Sequence, residues 1–346
     1  MRSVAFIAAV LASVTAAAQE LAPRSSTVGA AIDRGLTFLV EDALAWKRDH
    51  NCASCHHASL VVLAMHEAKH RGHAVDDKVL SDLMKWMAES GDGKFGLARP
   101  TSAPNAASPK AIYFSLALGG DLQPDATVEA KLKLLMTTVK SEQTGNGSWS
   151  TWPNTRPPIF GSSDESLTAL ATLAVLPVAA TGDADAQSAR DNAVRWLTEK
   201  KTDNDPQSIA LRLVLWKRLG RPADECETLA GHIIRRQNDD GGWSQSNELA
   251  SDAWACGQAI YALAHVDSDT SRSAISRGQE FLVKAQRTDG SWEMTSRPTM
   301  PGGEGSTNLV PITGAGSAWA VLGLARSTET SKADTIKSSR RNGNSR

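Results

Sequence analysis

The most chemically specific string in the chain is Cys52-Ala53-Ser54-Cys55-His56. Two thiols at this spacing, followed directly by an imidazole, can add across the two vinyl groups of a haem while the imidazole reaches the iron from one side. That chemistry assigns Cys52 and Cys55 as thioether positions of a haem c and His56 as the proximal iron ligand. The same spacing serves two other chemistries, a disulfide or dithiol pair and half of a zinc site. Zinc needs two more ligands, and His50 and His57 lie too close in sequence for a comfortable tetrahedron. For a sixth iron ligand the chain offers Met300, with Met294 nearby, and His66, His70 and His73 just after the motif. A methionine in a long loop usually serves packing, and the three histidines fall mostly on a polar helix face.

Compartment bears on which chemistry applies. Residues 1–18 read as a signal peptide: Arg2 supplies the positive start, Val4 to Val14 is too short to span a bilayer, and Ala16-Ala17-Ala18 precedes a cleavage point before Gln19. The expected location is periplasmic or secreted, where thioethers keep a haem attached after export. No later segment approaches the roughly 20 apolar residues of a spanning helix, and no cysteine follows the signal to carry a lipid, so no membrane anchor is expected. A net charge of −1 gives no reason to expect nucleic acid or an acidic membrane surface as partner. Cys226 and Cys256 stand alone on helical segments. Export would permit a disulfide between them, and buried free thiols are the other reading.

The elements that must position these residues are helices. Apolar residues recur at helical spacing over 28–46, 57–72, 76–90, 106–119, 125–142, 163–178, 184–200, 206–219, 222–237, 251–266, 270–286 and 315–326, separated by Gly, Pro, Asn and Asp clusters. Strand signals are almost absent, so the chain is all-α. Twelve helices make six hairpins in one domain over 19–326. From about Ser327 to Arg346 the chain has hardly an apolar residue and is expected to be a disordered tail.

The hairpins repeat. Arg277-Gly278-x-x-Phe281-Leu282-x-x-x-Gln286-x-x-x-Gly290-x-Trp292 is the fullest copy, and its ending recurs at Gln237-x-x-x-Gly241-x-Trp243 and Gln143-x-x-x-Gly147-x-Trp149. Glu89-x-x-x-Gly93-x-Phe95 and Lys201-x-x-x-Asp205-x-Gln207 are weaker echoes. The reading is structural: Gln caps the last carbonyls of a helix, Gly lets the chain turn, and Trp packs at the junction. Arg34-Gly35-x-x-Phe38-Leu39 opens repeat one as Arg277-Gly278-x-x-Phe281-Leu282 opens repeat six. The matching turn in repeat one is absent, and Asp49-His50-Asn51 and the two cysteines stand in its place.

This pattern resembles the QW repeats of squalene-hopene cyclases and, more loosely, of protein prenyltransferases, over nearly the whole mature chain. The resemblance implies an α6/α6 toroid, with outer helices ending at the Q-x-x-x-G-x-W turns and inner helices starting after them, and a cavity suited to an apolar small molecule. The strings Gly242-Trp243-Ser244-Gln245, Ser251 to Ala259 and Ala318-Trp319-Ala320 resemble exported bacterial squalene-cyclase-like and cytochrome-c-like proteins, which adds weight to haem but names no substrate; a haem c protein in electron transfer would call for a redox partner protein. The D-x-D-D-T-A acid motif of squalene-hopene cyclases is missing. Asp252 and Asp164 start inner helices and are the nearest candidates for a catalytic acid. Each follows a serine at a helix start, where capping also accounts for it. A prenyltransferase-like zinc site at Asp252 and Cys256 would need a later histidine, and none follows His265.

Overall fold

The computed structural model describes residues 4–50, 53–90, 106–120, 124–151, 158–159, 163–200, 205–247, 249–297, 305 and 307–328, with the side chains of 4–26 and of Cys55 outside that set. Among these residues twelve helices form: α1 (Val4–Asp49), α2 (Leu60–His70), α3 (Asp77–Glu89), α4 (Pro109–Leu118), α5 (Ala126–Ser141), α6 (Asp164–Ala180), α7 (Ala184–Glu199), α8 (Pro206–Arg218), α9 (Ala223–Ile234), α10 (Ala253–Leu263), α11 (Asp269–Ala285) and α12 (Val310–Arg326). A single π-helical turn, Cys55–Ser59, leads into α2. Asp or Ser side chains cap the starts of eight of these helices, for example Asp76 on Lys78 N and Val79 N and Ser268 on Ser271 N. Each such cap stabilises its helix by about 1 kcal/mol.

The even-numbered helices close a ring. α2 packs on α4, α4 on α6, α6 on α8, α8 on α10, α10 on α12, and α12 back on α2. The odd-numbered helices pack outside them. This is the α/α toroid expected from the repeats. Inner helices are buried on nearly every side, which explains their Ala, Gly and Leu content. α10 and α12 meet backbone to backbone, since a Cβ added at Gly257 or Gly323 would collide with the main chain of the other helix. Inside the ring the Arg212 guanidinium on α8 pairs at 2.8 Å with the fully buried Glu165 carboxylate on α6.

The Q-x-x-x-G-x-W turns work differently from the capping expected for glutamine. In all three, the Gln side-chain amide donates both to the turn's own glycine carbonyl and to an alanine carbonyl on the next outer helix: Gln143 to Gly147 and Ala189, Gln237 to Gly241 and Ala274, Gln286 to Gly290 and Ala31. The tryptophan does the capping, its indole N–H donating to Val139, Ile233 or Leu282 in the last turns of its own outer helix at 2.7 to 2.8 Å. Glutamine therefore ties one repeat to the next. The Gln286 bond ties repeat six to repeat one, and Arg34 and Arg277 occupy the same place, donating to the Oε1 of Gln286 and Gln237.

α12 begins at Val310 rather than near residue 315, because Pro311 occupies an early helical position where its missing N–H costs nothing. Cys226 and Cys256 are separate buried thiols. The Cys256 thiol lies 3.0 Å from the Trp243 N–H, which donates to it, as the Trp149 and Trp292 N–H groups donate to the hydroxyls of Thr168 and Ser317.

Candidate functional site

Two regions at the rim where the inner helices start hold clustered polar chemistry. The first is the turn after α1. The π turn touches α1, α2, α4 and α12, so the motif enters the ring where repeat six closes on repeat one. Cys52 and the side chain of Cys55 lie outside the described residues, as does Met300. Ser54 organises the two histidines of the turn. Its hydroxyl oxygen accepts from the His57 N–H at 3.0 Å and sits 3.2 Å from His56 Nδ1. When Nδ1 carries the proton toward Ser54, Nε2 is the ring nitrogen of His56 that could take a metal. Burial, and then the neighbouring His57 and His50, lower the His56 pKa to about 3, so the ring is neutral at ordinary pH.

His57, absent from the residues singled out for chemistry except as a zinc alternative, is fully buried, and its Nδ1 lies 2.5 Å from the Asp42 carboxylate on α1. Its Nε2 is buried without a hydrogen-bond partner. Trp46 stacks on both His50 and His57, at ring separations of 3.6 and 4.2 Å, and meets His56 edge-on. Gly314 of α12 covers the Asp42–His57 pair so closely that a Cβ there would lie 3.1 Å from the carboxylate and 3.3 Å from the imidazole. The signal in the sequence was the His56-His57 doublet together with an acid one helix earlier, but its pairing spans an irregular turn. Met294 is buried against Gly316 of α12. His73 pairs with Asp33 at 3.1 Å on the outer side of α1. Among the described residues no group of three or more His, Cys, Asp or Glu is gathered as a metal site.

The second region is a cleft between repeats four, five and six. Its walls include Gln207 of α8, Gln245 of the turn before α10, Trp254 and Gln258 of α10, and Arg297. The cleft with its open mouth contains about 440 Å³ of unfilled space. Asp252 stands behind Gln245: it caps α10 by accepting from Ala255 N at 2.9 Å and accepts from Gln245 Nε2 at 2.8 Å. Burial raises its pKa to about 6 against these hydrogen bonds. Asp164 occupies the matching place in α6, where Ser163 is the cap and Asp164 accepts from Thr151 N at 2.8 Å. The two carboxyls therefore belong to different repeats and do not share a site. Gln207, which the sequence offered only as a faint echo of a tryptophan, is a cleft wall.

No protein-family model matches the chain, and no curated protein is close enough in sequence to serve as a relative. Solved structures do match. A type II terpene cyclase from Scytonema, determined with geranylgeranyl dihydroxybenzoate, superposes with a TM-score of 0.59 at 11% identity over 89% of this chain and 99% of its own. The ent-copalyl diphosphate synthase from Streptomyces platensis gives 0.51 at 14% identity, covering 78% of this chain and 50% of that one. A polysaccharide lyase gives 0.52 at 13% identity over 88% and 98%. At these identities the likeness is one of fold, a terpenoid-cyclase-like α/α toroid that carries unrelated chemistries.

Proposed function

We propose that this chain is an exported haem c protein on a terpenoid-cyclase-like toroid, acting in electron transfer or redox chemistry with a partner protein. The observation that carries the reading is the setting of His56. Its imidazole is neutral, its Nδ1 is held by Ser54, and it directly follows the second cysteine of a motif placed where three other repeats have a structural turn. Haem, when bound through Cys52 and Cys55, would supply one-electron chemistry. The chain's own residues fix the ligating ring, and the Asp42–His57 pair under Gly314 holds the turn against α12. Met300 would be the candidate for a second iron ligand.

The alternative of an apolar ligand in the toroid draws on the fold, on the prenylated compound bound by the Scytonema cyclase and on the apolar side chains, among them Ile209, Ile233, Trp243 and Trp254, that form most of the cleft wall; the glutamine amides set among them count against it. A cyclase-like acid at Asp252 finds little support. Asp252 lacks the D-x-D-D-T-A surroundings, and its carboxylate is engaged in capping α10 and accepting from Gln245.

Expression in a host with cytochrome-maturation machinery tests the proposal. The purified chain should show a Soret band and retain haem stain on a denaturing gel. Cys52→Ser with Cys55→Ser should lose the stain, and His56→Ala should keep it while its Soret band moves. A colourless wild-type protein from that host would overturn the reading.

A further inference from the structure

We propose that the cleft at the start of α8 and α10 binds a neutral, polyhydroxylated small molecule of the monosaccharide class, at a site separate from the rim motif. Three glutamines that line this cleft, each at least nine-tenths buried, carry amide atoms without protein partners: both Oε1 and Nε2 of Gln207, Oε1 of Gln245 and Nε2 of Gln258. Leaving such groups unpaired costs about 1–3 kcal/mol each, so the arrangement is one that a hydrogen-bonding ligand would satisfy.

The atoms on offer select the ligand. Two are donors and two are acceptors, and the Nε of Arg297 adds a further donor. A ligand that pairs with all of them must both donate and accept, which a hydroxyl does from a single atom. Charge points the same way. Arg297 and Arg236 line the cleft with Asp205, and Asp252 stands behind Gln245 within electrostatic reach of Arg297, so the formal charges of the four cancel and none is left over for an anion or a cation. Trp254 and Trp243 add flat apolar wall beside the amides, suited to the C–H face of a sugar ring. A polyprenyl chain would instead leave every one of these amides unpaired.

Saturation-transfer NMR on the full chain, with D-glucose, D-galactose, D-mannose and myo-inositol as probes and geranylgeraniol as the apolar control, tests the inference. At least one of the four polyols should receive saturation. Its Kd should weaken at least tenfold in Gln207→Leu and in Gln258→Leu, variants whose helical circular dichroism is checked first. A wild-type crystal soaked with that polyol should place its hydroxyls within hydrogen-bond reach of Gln207 or Gln258, which tests the site even if a variant fails to fold. Saturation of geranylgeraniol alone, of none of the five, or density for the polyol elsewhere would overturn it. Each outcome is independent of whether haem is attached at Cys52 and Cys55.

Discussion

The Asp42 carboxylate and the Nδ1 of His57 lie 2.5 Å apart, joining the first outer helix to the turn that carries the cysteine motif. The imidazole is wholly buried and the carboxylate mostly so, and Gly314 of the last inner helix lies over both. A double-mutant cycle with Asp42→Asn and His57→Ala in urea unfolding should give a coupling of about 1.5–3 kcal/mol, the range of hydrogen bonds to charged groups. Additive effects within a few tenths of a kcal/mol would mean that the contact contributes nothing to holding the turn.

Ring closure makes a second prediction. Gly290 has φ +88° and a Cβ there would collide with the Arg34 carbonyl, whereas Gly182 has φ +96° with nothing within 4 Å. Gly182→Ala should cost only the conformational penalty, about 1–2 kcal/mol. Gly290→Ala should cost a further 1–3 kcal/mol or so, because it also pushes repeat six away from repeat one. Equal losses in thermal or urea melts would contradict the packing.

The pH dependence of stability should carry the mark of Asp252. Its pKa is raised from 3.8 to about 6 by burial. Between those values the folded state holds a proton that the unfolded state has released, so this group makes stability fall as pH rises, by about 1.4 kcal/mol per unit. His265, lowered from 6.5 to about 4 by burial and then by Arg326, acts in the opposite sense over its own window, since there the unfolded state binds the extra proton. Asp252→Asn should therefore steepen the gain in stability from pH 4 to 6. Parallel wild-type and variant profiles would show that Asp252 titrates normally.

The Cys256 thiol accepts from the Trp243 N–H at the place where Thr168 and Ser317 present hydroxyls to the matching tryptophans. Cys256→Ser should thus fall within about 1 kcal/mol of wild type, and Cys256→Ala should be worse, because it orphans a buried N–H at a cost of about 1–3 kcal/mol. In the folded chain the thiol should resist an aromatic disulfide reagent until unfolding, since burial holds its pKa well above 9.0. Rapid labelling under native conditions would argue against this burial.

The toroid was legible because each hairpin carries the same dual periodicity, amphipathic outside and apolar inside, and because three full copies of one turn fix the register. The start of α12 was missed by five residues, since Pro311, Gly314 and Gly316 look like breakers when read alone. In the ring Pro311 sits where a helix tolerates it, and Gly314 and Gly316 are small to admit the Asp42–His57 pair and Met294. The role of glutamine was misplaced for a related reason: its second acceptor belongs to the next repeat, 37 to 255 residues away depending on the copy. The cysteine motif stands out locally, but the Asp42–His57 contact crosses an irregular turn and the amide cleft gathers side chains from successive repeats, so helical periodicity encodes neither.

The central claim is that Cys52 and Cys55 carry a haem. Mass spectrometry of the proteolytic peptide containing both residues, from protein matured in the periplasm, tests it most directly. One haem mass added to that peptide, with neither cysteine alkylatable, is the predicted result. A peptide at its unmodified mass with two alkylatable thiols, or two hydrogens lighter as a disulfide, would contradict it.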